Sequence, residues 1–385
     1  MGASMLIAGG EVLGPDGVDL ADLRLAEGRI AAVADALPPL PDEKVLDASG
    51  LLVLPGIVDI HGDAFERQIM PRPEVHFPLD VALLDTDRQL AANGITTAFH
   101  GLTLSWEPGL RSLENGAAVV AALEATREQL TVDHRLHIRW ETFALDAEAQ
   151  VHSWLTAKVP PLFAFNDHTT GSVRKRTDPV KMRSWAQRCG LSEADYRGLL
   201  DAVWARRTEV EPAIERIAAA ARRRGVTMLS HDDTSPEVRA RYRALGCSVA
   251  EFPLTWETAA AARAAGEHVV LGAPNVVRGG SHIGAVNAAE AAEAGRCTVL
   301  ASDYYYPAPL SAAFRLAADG RLDLAQAWPL VSRNPAQAAG LDDRGELSEG
   351  RRADVVLVRA GAGAPRVVAT ISDGRLVHLG EPGLL

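Results

Sequence analysis

Short apolar runs alternate with polar or glycine-rich breaks along the chain, and the period of that pattern changes between its ends and its middle. Up to about Leu54 the runs are brief, at 5–8, 23–25 and 29–33, with turn signals Pro15-Asp16-Gly17 and Glu27-Gly28 between them. Such spacing predicts a small antiparallel sheet. The last segment reads the same way, with runs at 354–358, 366–369 and 375–378. The two ends, 1–54 and 340–385, are therefore expected to build one small β-sandwich module that brackets residues 55–339. In that middle region β-type runs at 57–61, 95–100, 136–141, 162–166, 226–230, 248–252, 268–272 and 298–302 alternate with helical stretches such as 81–92, 214–224 and 258–265. Eight apolar strands, most followed by a helix, predict an α/β fold of the (β/α)8 TIM-barrel type. An open doubly wound sheet would typically carry a glycine fingerprint after its first strand, and none is present.

The length of 385 residues agrees, because it exceeds the roughly 250 of one barrel and leaves room for the terminal module. A net charge of −11 argues against wholesale binding of nucleic acid or anionic membrane. The three cysteines, Cys189, Cys247 and Cys297, are far apart and form no CxxC pair. They predict reduced thiols in a cytoplasmic protein. The first residues lack a basic stretch followed by a long apolar core, and no run of about 18 apolar residues occurs anywhere, so neither a signal peptide nor a membrane span is expected.

Chemistry in a barrel collects where the strands end at their C-terminal side, since the loops there converge on one mouth. The first run ends Asp59-Ile60-His61-Gly62-Asp63, and the i, i+2 rule of extended chain lets His61 and Asp63 point together. Later runs end at His100, at Glu141, at Asn166-Asp167-His168, at His231-Asp232-Asp233 and at Asp303, and the sixth contains Glu251. Imidazoles and carboxylates at several strand ends suit zinc, manganese or iron(II), and there are enough of them for two ions. His76, His134, His137, His152, His268 and His378 have no such placement and read as structural.

Longer motifs occupy the same places. Leu54-Pro55-Gly56-Ile57-Val58-Asp59-Ile60-His61-Gly62-Asp63 resembles the strand-one signature of the amidohydrolase superfamily. Asn334-Pro335-Ala336, Gly340-Leu341, Gly345-Glu346-Leu347, Gly350 and Ala353-Asp354-Val355-Val356 resemble its closing motif. The second histidine of the usual HxH pair is Asp63 here. That departure, with Ala92–His100-Gly101, Ser230–Thr234, Ala273-Pro274-Asn275 through Arg278-Gly279-Gly280-Ser281-His282 and Ala301–Pro307, resembles one branch, the α-D-ribose 1-methylphosphonate 5-triphosphate diphosphatases.

The resemblance implies a hydrolase that releases pyrophosphate from a ribose 5-triphosphate bearing a 1-phosphonate. It implies a divalent-metal cofactor, two Zn2+ with Mn2+ or Fe2+ as substitutes, held by His61, Asp63, Glu141, His168, His231 and Asp303. Glu141 is expected to bridge, Asp303 to handle the proton, and His100 to act on substrate. Loop cations Arg72, Arg174, Arg176 and Arg278, with Arg67, Lys175 and Lys181, offer contacts for a polyanion, guanidinium forks in particular. Gly280 and His282 are expected to join them, the former through its backbone amide. The expected partner is a phosphorylated ribose-phosphonate small molecule, with no nucleic acid and no membrane; a homo-oligomer is compatible with the sequence and not specified by it. Two rivals stand beside this reading. A cyclic-amide hydrolase or base deaminase of the same superfamily would turn over hydantoins, dihydroorotate or adenine, and a non-enzymatic barrel would lack the strand-end ligands.

Overall fold

A computed structural model describes residues 4–14, 17–72, 74–280, 286–361 and 363–384. The eight strands of the middle region are β1 (Ile57–Gly62), β2 (Ile95–Leu104), β3 (Asp133–Glu141), β4 (Leu162–Asn166), β5 (Met228–His231), β6 (Cys247–Glu251), β7 (His268–Gly272) and β8 (Val299–Ala301). They pair in sequence order and all in parallel. The two edges meet through a bridge between Gly62 and Asp303, with the Asp303 amide donating to His61 O and the Asp63 amide to Asp303 O, each at 2.9 Å. The (β/α)8 barrel is thereby closed beside its mouth.

Alternation along the strands divides the core in two. Ile60, Phe99, Leu162, Ala164, Leu229, Val249, Val270 and Val299 fill the barrel interior. Leu102, Leu104, Ile138, Trp140, Phe163 and Phe165 face the surrounding helices. Glycines of the strand-one motif allow close approach: a methyl group on Gly56 would lie 2.2 Å from Thr96 Oγ1, and one on Gly62 would lie 2.6 Å from Asp59 Oδ2.

The terminal segments form a separate, mostly antiparallel eight-stranded sheet with its own core of Ile7, Leu23, Val53, Val355 and Leu357 among others. Strand Leu52–Pro55 lies between Met5–Gly14 from the first end and Val355–Arg359 from the second. Between β4 and β5 the chain makes a long excursion. Helices Thr169–Arg174, Pro179–Arg188 and Glu193–Ala205 precede Arg207–Arg224, which packs on the barrel. The first three share a small core of Met182, Ala186, Tyr196 and Leu200, forming a cap. Among the described residues no helix is long and apolar enough to cross a membrane.

Candidate active site

An irregularity in β1 brings His61 and Asp63 together at the end of the strand. Asp59 pairs with Ala98 and Gly62 with His100, so three residues advance on β1 against two on β2. The extra residue shifts the phase, as a bulge does. Asp59 consequently faces outward, accepting from the Ser302 amide at 3.0 Å and from Ser302 Oγ at 2.5 Å. His61 and Asp63 face inward, and their donor atoms lie within 4.8 Å of one another and of Asp303. Asp303 itself has φ 55°, Asp232 φ 58° and Phe252 φ 51°. Left-handed backbone is uncommon for non-glycine residues, and three strand ends at the mouth adopt it.

A second group consists of His168, His231 and Asp232. His168 Nε2 lies 3.7 Å from Asp232 Oδ2, and His231 Nε2 lies 3.7 Å from Asp232 Oδ1. Donors bound to one ion at ~2.1 Å in tetrahedral arrangement sit about 3.4 Å apart, so this set fits a zinc-like ion closely. Glu251 converges on His61 and His231 as well, but with a different spacing. Its two oxygens accept from His61 Nδ1 and His231 Nδ1, each at 2.7 Å. No ion fits across a 2.7 Å hydrogen bond, so Glu251 acts as an orienting carboxylate that puts the lone pair of each imidazole on Nε2. Burial opposes its ionisation, yet the surrounding histidines hold Glu251 well below the usual carboxylate range.

Arg139 lies between the two groups, with Nη1 3.5 Å from Asp63 Oδ2 and Nη2 3.1 Å from His231 Nε2. Burial, with Asp232 opposing it and Arg139 reinforcing it, keeps His231 below its ordinary pKa and neutral. His168 behaves oppositely: burial pushes it down, but hydrogen bonding to Asp232 and Glu141 outweighs that and lifts it to about 9. An ion taking His168 Nε2 would therefore displace a proton.

The structure departs from several sequence expectations. Glu141 belongs to none of the three candidate ligand groups among the described residues. Its Oε1 accepts from the Thr169 amide and hydroxyl at 3.1 and 2.7 Å, and its Oε2 from the His168 amide at 3.1 Å, so it anchors the His168 turn. β2 runs four residues past His100, which faces outward and sits 2.8 Å from His134 Nδ1; His134 in turn reaches Asp87 at 3.0 Å. His100 is thus buried behind the barrel wall rather than at the mouth. Gly280 spends its amide on Asn275 O at 2.8 Å, closing the helix Ala273–Arg278. His282 lies outside the described residues.

A cavity of about 720 Å3 opens beside the second group, with His168, His231 and Asp232 on its wall. Arg174, Lys175 and Lys181 line it. Arg176 instead turns toward Asp201, 3.9 Å away, Arg72 makes a bridge with Val75, and Arg278 reaches Tyr304 Oη at 3.3 Å, next to Asp303. Sequence reasoning missed Arg139 and dismissed His137, whose Nδ1 donates to Ile60 O at 2.9 Å and which burial pushes down to about 3. Both were accessible by counting back in twos from Glu141, since alternate residues of β3 share its face.

Comparisons with known proteins agree with this geometry. Residues 191–378 match the model of an amidohydrolase family. The chain is 37% identical over 347 residues to the alpha-D-ribose 1-methylphosphonate 5-triphosphate diphosphatase of Escherichia coli (strain K12), covering 87% of this chain and 90% of that protein. A dihydroorotase of Syntrophus aciditrophicus (strain SB) is 44% identical over 62 residues, 15% of this chain and 14% of that one. Among solved structures, an amidohydrolase from an environmental sample of the Sargasso Sea superposes with a TM-score of 0.69 at 18% identity, covering 98% of this chain and 93% of the other. N-isopropylammelide isopropylaminohydrolase from Burkholderia multivorans ATCC 17616 gives 0.65 at 22%, covering 97% and 98%. The closed barrel, its strand-end imidazoles and carboxylates, and a near-full-length relative together place this chain in the amidohydrolase family.

Proposed function

We propose that this hydrolase cleaves ribose 1-methylphosphonate 5-triphosphate to the 5-phosphate and pyrophosphate, using a divalent ion. The observation that carries the reading is the 37% identity, over 87% of the chain, to an enzyme named for that reaction. The donor set is suited to the chemistry. When bound, a divalent ion supplies an activated water at neutral pH and neutralises charge on the phosphoryl group. His168, His231 and Asp232 would hold it, with His61, Asp63 and Asp303 providing a second position. Glu251 fixes the tautomers of His61 and His231. Asp303, held at the mouth by the β1–β8 bridge, accepts the proton of the water that attacks the α-phosphorus. Cationic side chains in the cavity stabilise pyrophosphate as the anhydride bond breaks and the electron pair leaves with it.

The test is phosphorus NMR of the zinc-loaded protein with this triphosphate, alongside hydantoin and adenine. Pyrophosphate and the 5-phosphate should appear together, and His231→Ala should abolish both. Turnover of an amide or base with a silent triphosphate would replace this reading with the cyclic-amide or deaminase alternative.

A further inference from the structure

The cap carries many cations, and their pairing follows a pattern. Arg188 donates to both Glu107 oxygens at 2.6 and 2.7 Å, Arg183 to Glu193 at 3.2 Å, and Arg176 faces Asp201 at 3.9 Å. Other arginines on the cavity wall are matched too: Arg111 by Glu66 and Arg241 by Glu211. Arg174, Lys175 and Lys181 have no acidic partner among the described residues, and all three line the cavity.

Three like charges lining one cavity repel one another, and among the described residues none of them is held in an ion pair. The same cavity is lined by Asp232, which stands between His168 and His231. The cavity therefore combines a group suited to a cation with side chains suited to an anion with several charges. We propose that the cap is the polyphosphate-recognition element, in which Arg174, Lys175 and Lys181 hold the leaving diphosphate portion of a linear polyphosphate ester while the scissile bond lies at His168–His231–Asp232. The ligand class is a chain of two or more phosphoryl groups, whose several charges match three unpaired cations and a metal-binding group in one cavity. This assignment rests on the diphosphatase reading and specifies which part of the chain reads the leaving group. Arg176 plays no part in it.

The test is calorimetric titration of the zinc-loaded protein with pyrophosphate and inorganic tripolyphosphate, with orthophosphate as reference. The variants are R174A/K175A/K181A and, as a control for surface charge on the cap, R183A. All four side chains are exposed, so the fold should tolerate their loss. The triple variant should bind tripolyphosphate roughly 10- to 100-fold more weakly, orthophosphate nearly as before, and the wild-type affinity should fall with added salt. R183A should match wild type. Wild-type affinity in the triple variant, or an equal loss in R183A, overturns the assignment. If the wild type binds tripolyphosphate through these residues yet leaves the ribose triphosphate intact, the cap assignment stands and the diphosphatase reading fails. Turnover with cap-independent binding means the reverse.

Discussion

Replacing Glu251 by glutamine probes how the site is held without changing its shape. The carboxylate accepts two hydrogen bonds of 2.7 Å, one from each of His61 and His231. An amide has one acceptor oxygen and one NH2 group, so it can serve one imidazole as before and must donate to the other. That second ring has to carry its proton on Nε2, and it then offers no lone pair to an ion. Losing an outer partner of this kind costs about 10- to 100-fold in metal affinity, or about 1.4–2.8 kcal/mol. Exchanging one charge-assisted bond for a neutral one should lower stability by a further ~1–2 kcal/mol. The assay is zinc competition against a chromophoric chelator, with histidine tautomers read by long-range nitrogen–proton NMR. Unchanged tautomers with unchanged affinity would refute the orienting role. A loss far beyond hundredfold would make Glu251 itself a ligand.

Other outcomes are expected. Arg239 is fully buried and donates to Glu267, Ser230 and the carbonyls of Cys247 and Val249; Arg239→Met should cost ~3–5 kcal/mol by urea titration, and a loss under 1 kcal/mol would contradict the role of this hub in holding β5 and β6 together. Asp87 accepts from Thr131, Val132 and His134, and although burial alone would raise its pKa, these partners hold it below 3.8. Its contribution is then present above pH 4 and is lost as pH falls through the depressed folded value, so Asp87→Asn should cost ~1–3 kcal/mol at pH 7 and progressively less as the pH falls below 3.8. Burial pushes the Cys247 and Cys297 thiols up to about 12 and Cys189 to about 11; iodoacetamide at pH 8 should leave native protein unmodified and label all three once it is unfolded. Gly56→Ala, which places a methyl 2.2 Å from Thr96 Oγ1, should lower stability by ~1–3 kcal/mol in thermal melts.

The barrel was legible because each of its eight strands is an apolar run bounded by polar residues, and a strand end is where chemistry can be exposed. His61, Asp63, His168, His231 and Asp303 follow from that rule alone. What the rule cannot supply is phase and partnership. Asp59 and His61 have the same parity, yet a one-residue slip in β1 sends them to opposite faces. His100 reads as a strand end because it is the first ionisable residue in a run that continues to Leu104. Glu141 has the right position and the right chemistry, but whether its oxygens face an ion or the backbone of the next turn depends on where residues 168 and 169 sit. Pairings across long separations, such as Arg188 with Glu107, 81 residues away, leave no mark on local composition. Nor does the cap, whose helices look like any others along the chain.

The sheet built from both ends of the chain has a bearing on how the protein is made. Strand Leu52–Pro55 finds its neighbour in Val355–Arg359, so about 300 residues separate the two partners. At ~5–20 residues per second a ribosome needs roughly 15–60 s to deliver the second strand after the first. During that interval the N-terminal strands wait with an open edge, the kind of surface that invites pairing with another chain. Synthesis that stalls within the barrel would prolong this exposure. Holding factors that act on nascent chains should therefore matter more for the yield of this protein than its final stability would suggest.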